Sequence, residues 1–173
     1  MSRRRERHRD IQKYDPVRAA NITGIDDVIH DRAVLRALTS RYKLKGEVSR
    51  HSRKTLFVGR LNPETTESEL REAFTEFGQI KYLRLVRDIV TGTSKRYAFV
   101  EYKHRSDLER AYQKAHLTML KGYQIIVDYE AERTLAGWVP RRLGGGWGGR
   151  KQSGQMRFGC RCNPFRTPKK RLH

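Results

Sequence analysis

Cysteine and long apolar runs are scarce in this chain. Its 173 residues include two cysteines, Cys160 and Cys162, one residue apart, and this spacing suits neither a disulfide framework nor a four-ligand zinc site. No run of eighteen apolar residues occurs, and the first residues form an arginine cluster with no apolar segment behind it. The sequence therefore predicts neither a membrane span nor a secretory signal. We expect a protein of a reducing, intracellular compartment that contacts no membrane.

Acidic residues are the scarcer charged type, since 19 Asp and Glu stand against 38 Lys and Arg, for a formal net charge of +19. Such a balance predicts a polyanionic partner. Residues 1–54 carry 15 basic and 7 acidic residues, residues 55–130 carry 12 and 11, and residues 131–173 carry 11 and 1. We interpret these segments as a basic N-terminal arm, a balanced central domain and a Gly/Arg-rich C-terminal arm.

Catalytic residues form no recognisable constellation in the sequence. The six histidines are scattered, and none has the spacing from a serine, cysteine or carboxylate that a nucleophilic or metal site requires. A phosphate-binding P-loop motif is also absent. We therefore predict no enzyme activity, no cofactor and no metal site.

The central segment alternates strand-like and helix-like patterns. Thr66 with Glu69 three residues later predicts a capping box that opens the first helix, and Ser106 with Glu109 predicts a second. The predicted strands are 55–60, 80–88, 96–102 and 123–129. The order βαββαβ predicts an α+β, ferredoxin-like fold, with largely extended basic arms on either side.

Aromatic and apolar residues alternate in the first and third predicted strands. The period of two places Phe57, Tyr97 and Phe99 on the sheet face away from the helices. The strings LFVGRL at 56–61 and KRYAFVEY at 95–102 resemble the RNP2 and RNP1 motifs of RNA-recognition domains.

This resemblance implies that unpaired bases stack on the three aromatic rings and that nearby cations hold phosphates. The cations predicted for that role are Arg84, Lys95 and Arg96. The chain differs from the usual motifs at Arg96, where glycine is common, and at Arg60, where asparagine is common. The alternative is that the aromatic residues pack beneath an arm and touch no RNA.

The flanks contain more specific strings. HDRAV at 30–34 leads into a short helix predicted near 31–42, GWVPRRLGGG occupies 137–146, and SGQMRFG occupies 153–159. Together with the central motifs, these strings resemble the family of 35-kilodalton proteins of the U11/U12 small nuclear ribonucleoprotein, and the RRLGGG stretch is also similar to the 70-kilodalton protein of the U1 particle.

The family resemblance implies a nuclear, RNA-binding component of the minor spliceosome. Its implied partners are a stem-loop of U11 small nuclear RNA and other proteins of the particle, with pre-mRNA as a further candidate. It would support recognition of the 5′ splice site. The alternative from another class is a protein-interaction module whose sheet or helical face binds a peptide.

The C-terminal arm combines cations with eight glycines, which offer little surface to bury. We therefore expect residues after Glu132 to be extended until bound, with a solvated basic linker as the alternative. The predicted phosphate contacts in this arm are Arg133, Arg141, Arg142 and Arg150. The arginine cluster at 3–9 leaves three interpretations open: an import signal, a nonspecific RNA arm or a solubilising terminus.

Overall fold

The computed structural model describes residues 13–20, 29, 32–43 and 52–146. The chain divides into two compact units, of which one comprises residues 45–130 and the other comprises residues 1–44 together with 131–173. Arg150, the cysteine pair and the arginine cluster at 3–9 lie outside the described residues. The helices and strands, in chain order, are α1 (Pro16–Ala20), α2 (Arg32–Thr39), β1 (Thr55–Gly59), α3 (Glu67–Thr75), β2 (Ile80–Arg87), β3 (Ser94–Tyr102), α4 (Arg105–Lys114), β4 (Met119–Leu120), β5 (Tyr123–Gln124) and β6 (Ile126–Tyr129).

The unit of residues 45–130 is built on a four-stranded antiparallel sheet in the order β2-β3-β1-β6. Helices α3 and α4 cover one face of this sheet and close a core that includes Leu56, Val58, Phe74, Val100 and Tyr112. These residues are almost fully buried, whereas Phe57 and Phe99, at the alternate positions of β1 and β3, are half-buried. The α+β, ferredoxin-like architecture predicted from the sequence is confirmed.

Helix α3, the first helix of the central domain, starts as the sequence predicts. Thr66 is the N-cap of α3, its hydroxyl accepts the backbone N–H of Glu69, and the Glu69 carboxylate accepts the backbone N–H of Thr66. The second predicted capping box is wrong. Helix α4 begins at Arg105 with His104 as N-cap and no side-chain hydrogen bond at the cap, so Ser106 already lies inside the helix.

The reason for that difference lies in the partners of the first turn of α4. Glu109, the predicted capping carboxylate, instead pairs with Arg105 at 3.4 Å. Asp107 is buried against Gly78, where a Cβ atom would come within 2.2 Å of the Asp107 carboxyl carbon. Tertiary packing therefore sets the first turn of α4, where the sequence pattern offered only a local cap.

The last predicted strand, 123–129, is also interrupted. Its first residues, Tyr123–Gln124, form β5, which pairs with β4 in a short hairpin, and the last residues form β6, which joins the main sheet beside β1. Between them, Ile125 is buried and exchanges backbone hydrogen bonds with Leu117 and Thr118.

The second unit brings together segments from both sides of the central domain. The backbone N–H of Tyr14 donates to the carbonyl of Ala136 at 2.8 Å, and the Tyr14 hydroxyl donates to the carbonyl of Gly146 at 2.9 Å. The Tyr14 ring packs edge-on against Trp138 with 4.9 Å between ring centroids. A small apolar core forms around them, consisting of Tyr14, Ala19, Ala37, Leu135 and Val139.

This packing differs from the extended chain that the sequence predicts directly after Glu132. Gly144 has φ +88°, and a Cβ atom there would lie 2.1 Å from the carbonyl oxygen of Ala33 on α2. The glycine therefore permits a close approach of two backbones that any side chain would block.

Within the described ranges, no helix is long and apolar enough to cross a membrane.

Candidate nucleic-acid interface

Three aromatic rings form a cluster on the sheet face that the helices leave uncovered. Phe57 of β1 pairs directly with Phe99 of β3, and Tyr97 lies two residues before Phe99 on the same face. The ring centroids of Phe57, Tyr97 and Phe99 form a near-equilateral triangle with sides of 5.7, 5.9 and 5.9 Å. We call these residues the aromatic cluster. Half-buried rings that brace one another present fixed apolar surfaces on which a flat base can stack.

Gly59 makes room for one of these rings. A Cβ atom on Gly59 would lie 2.9 Å and 3.1 Å from two carbons of the Phe57 ring. The ring therefore lies directly over the glycine backbone, next to Tyr97, which pairs with Gly59 across the strands. The glycine of the RNP2-like motif therefore matters here because it has no side chain, which leaves room for the Phe57 ring.

The strand register extends this face to both sides of the aromatic cluster. Arg84 of β2 pairs with Phe99 and is exposed, and Asp128 of β6 pairs with Phe57. Tyr82 lies two residues before Arg84 on the same face and is 43% exposed. The open face thus carries a row of side chains across the sheet: Arg84, the aromatic cluster and Asp128. Tyr82 lies beside this row. Neither Asp128 nor Tyr82 was among the predicted contacts, although the period of two along β2 would have indicated Tyr82.

Lys95 is the second residue of β3 and lies beside Asp88, which follows β2. Its ammonium is 3.5 Å from Asp88 Oδ2. Backbone N–H groups of Thr91 and Val90 donate to the Asp88 carboxylate and, together with the charge of Lys95, lower the pKa of Asp88. The turn is therefore ordered around an ionised carboxylate that also holds Lys95.

Arg96 takes an unusual backbone conformation, with φ +64°. This left-handed region favours glycine, which accounts physically for the glycine that RNP1 motifs usually have there. The Arg96 side chain donates from Nε to the carbonyl of Leu61 at 2.9 Å, and its guanidinium lies 5.1 Å from the centroid of the Tyr123 ring. Arg96 thus braces β3 against the segment that follows β1.

The predicted cations after the central domain belong to the other unit. Arg142 lies 5.4 Å from the centroid of the Tyr42 ring, and the Tyr42 hydroxyl donates to Glu132. Burial raises the pKa of Glu132, against the opposing charges of Arg133 and Arg142. Arg141 is exposed in a short 3₁₀ turn. The structure thus gathers Arg133 and Arg142 around one carboxylate, and Arg150 lies beyond the described ranges.

The fold and the aromatic face define a class of protein. The family profile described as RNA recognition motif matches residues 56–126, which run from β1 to the start of β6. This unit is an RNA recognition motif domain.

Among the described residues, no group of His, Cys, Asp and Glu side chains could hold a metal ion.

Comparison with curated proteins identifies the family more closely. The U11/U12 small nuclear ribonucleoprotein 35 kDa protein of Danio rerio is 56% identical over 155 residues, which are 90% of this chain and 74% of that protein. The U1 small nuclear ribonucleoprotein 70 kDa of Drosophila melanogaster is 45% identical over 101 residues, 58% of this chain and 22% of that protein. A solved structure of the Sex-lethal RNA recognition domains 1 and 2 from Drosophila melanogaster shares 32% identity with a TM-score of 0.43, covering 44% of this chain and 48% of that chain. This chain belongs to the family of U11/U12 small nuclear ribonucleoprotein 35 kDa proteins.

Proposed function

We propose that this protein is a nuclear RNA-binding component of the minor spliceosome, which binds a stem-loop of U11 small nuclear RNA and supports recognition of the 5′ splice site. The observation that carries the proposal is the aromatic cluster on the open sheet face of an RNA recognition motif domain. The choice of particle rests on the family, because its members are named for the U11/U12 small nuclear ribonucleoprotein.

The geometry favours unpaired RNA over a duplex. Phe57 and Phe99 are paired on neighbouring strands, and their half-buried rings lie on the sheet face that the helices leave uncovered. A base must leave its helix to stack there, and bases in a loop are already unstacked. Arg84, opposite Phe99, supplies a cation for a phosphate beside the stacked base. We expect Lys95 and Arg96 to reach phosphates only in competition with Asp88 and with the Leu61 carbonyl.

Replacing Phe57 or Phe99 with alanine tests the aromatic cluster directly. Each base stack is worth about 1–3 kcal/mol, so we expect each variant to bind transcribed U11 RNA about five- to a hundredfold more weakly. The fold should persist, because both rings point away from the core. The matched control is Met119→Ala, which trims a side chain that is 65% exposed outside the cluster. Fluorescence anisotropy gives the affinity and circular dichroism checks the fold; unchanged affinity in folded variants would refute stacking on this face.

The choice of RNA requires a cellular experiment. Ultraviolet crosslinking of the full chain, followed by sequencing of the attached RNA, should show enrichment of U11 RNA. Double replacement of Phe57 and Phe99 should abolish the enrichment, while the Met119→Ala control should keep it. Diverse messenger RNAs without U11 enrichment would overturn the proposed target. A peptide partner at this face, with RNA affinity unaffected by the double replacement, would favour a protein-interaction module.

A further inference from the structure

Strand β2 is irregular where it begins. Ile80 pairs with Tyr102 and Tyr82 pairs with Glu101, so Lys81 is an extra residue on β2. Such a bulge redirects a side chain that would otherwise follow the alternation of the strand. The Lys81 ammonium accordingly lies 3.2 Å from Oε1 of Glu101, a carboxylate whose side chain is 4% exposed.

A cavity of about 320 Å³ opens beside this ion pair. Three lysines line it, namely Lys54, Lys81 and Lys103, together with Glu101. The ammonium of Lys54 donates to the backbone carbonyl of Lys103 at 3.1 Å, which holds two of these lysines next to each other. Three ammonium groups against one carboxylate give the cavity an excess of two positive charges. Its chemistry suits an anion with several acceptor oxygens.

Glu101, which lines the cavity, belongs to the sheet face that carries the aromatic cluster. Glu101 lies two residues beyond Phe99 on β3, which is about 7 Å along an antiparallel strand. Tyr82 pairs with Glu101, is partly exposed, and lies between Lys81 and Arg84 along β2. An RNA strand with a base on Phe99 would therefore pass the lysines if it continued toward the start of β2.

We propose that this lysine pocket binds a backbone phosphate of the RNA strand that leaves the aromatic cluster. The inference rests on the proposed function and adds a second contact region to it. The buried Glu101 carboxylate pairs with Lys81 and so keeps that lysine at the wall of the pocket. Lys54 and Lys103 supply the charge that meets the phosphate.

The test compares two variants of the full chain with equal loss of charge. Lys54→Gln with Lys103→Gln neutralises the pocket, whereas Arg71→Gln with Lys114→Gln removes two exposed cations from helices α3 and α4 on the opposite side of the sheet. The probe is a uridine dodecamer, so the result does not depend on U11 as the target. Removal of one lysine–phosphate interaction lowers the slope of log affinity against log salt by about 0.7 for a single strand.

We expect the pocket variant to flatten the salt slope by about 0.7–1.4 and the helix variant to leave it unchanged. Equal salt slopes for the two variants would overturn the proposal that the lysine pocket binds a phosphate. Glu101→Gln should steepen the slope, since it frees Lys81 and removes a negative charge; a flatter slope with intact circular dichroism would also count against the proposal.

Phe99→Ala, measured with the same probe, separates this inference from the proposed function. We expect it to weaken binding without changing the salt slope, because it removes a base stack and no charge. If Phe99→Ala has no effect while the pocket variant flattens the slope, stacking on the sheet is wrong and the phosphate site stands. If Phe99→Ala weakens binding and the pocket variant matches its control, stacking stands and the phosphate site is wrong.

Discussion

Gly59 leaves the space in which the Phe57 ring lies, and this ring is one of those proposed to stack a base. In Gly59→Ala, the new Cβ atom would come within 2.9 Å of the Phe57 ring, and the ring must rotate away. We expect RNA affinity to fall at least about fivefold, toward the value of Phe57→Ala, because about 1 kcal/mol or more of stacking free energy is removed. The strand should tolerate alanine, since Gly59 is not among the residues of positive φ. Anisotropy and thermal melting check this prediction; full affinity would mean that the ring position over Gly59 is irrelevant to binding.

Arg96 shows where a sequence motif stops predicting a side chain. Alternation in β3 correctly placed Tyr97 and Phe99 on the open face, because it follows from the pleat alone. It could not place Arg96, whose left-handed backbone sends the guanidinium to the Leu61 carbonyl and the Tyr123 ring. Both partners lie far from Arg96 along the chain, so no local pattern indicates them.

At the scale of elements, the two capping motifs provide a matched experiment. Thr66→Ala removes the hydroxyl that accepts the backbone N–H of Glu69, and we expect it to lower the free energy of unfolding by about 0.5–2 kcal/mol. Ser106→Ala alters the motif that does not cap a helix, and we expect a change within about 0.5 kcal/mol. Urea denaturation followed by circular dichroism measures both. Equal losses of stability would contradict the helix start at Arg105.

Glu69, in the first turn of α3, makes the stability of the fold depend on pH. A hydrogen bond from Lys121 and the backbone N–H of Thr66 lower the pKa of Glu69 from its ordinary value of 4.5 to about 2. Because the pKa is lower in the folded state, the stabilisation is complete above pH 4.5 and is lost as the pH falls toward 2. Urea midpoints across this range should therefore fall less steeply for Glu69→Gln than for the unaltered chain. Parallel curves would show that Glu69 does not contribute to the acid sensitivity.

These elements also show how far local sequence determines the fold. The Thr66 cap was predictable because both of its partners lie within four residues. The break at Ile125 was not, because that residue satisfies its backbone with Leu117 and Thr118 across a hairpin of two-residue strands. Hydrophobic periodicity in 123–129 gives no sign of this hairpin, since its short strands contain no full repeat of the pattern.

For the whole molecule, the main difference from the sequence prediction is the packing of residues 13–20, 32–43 and 131–146, which are described parts of the flanks. Their glycines and cations predicted an extended chain because composition reports the burial that a segment can achieve alone. Tyr14 and Gly146 lie 132 residues apart and still share a buried hydrogen bond. Gly144 serves close packing against Ala33, and neither interaction leaves a local signal.

The Tyr14 hydroxyl offers a test of whether the two units unfold independently. Tyr14→Phe removes the donor to Gly146 and leaves a buried carbonyl without that partner, at a cost of about 1–3 kcal/mol. We expect hydrogen exchange at the backbone amides of residues 13–20 and 131–146 to accelerate about five- to a hundredfold, since opening of this unit becomes easier by that energy.

Exchange within β1, β3 and α4 should keep its rate, because those residues belong to the other compact unit. Tyr82→Phe is the matched control, since its hydroxyl sits on a partly exposed ring of the open sheet face and its removal should leave the flank amides unchanged. Acceleration across both units in Tyr14→Phe would show a single cooperative unit, and unchanged flank amides would show that this hydrogen bond does not hold the flanks together.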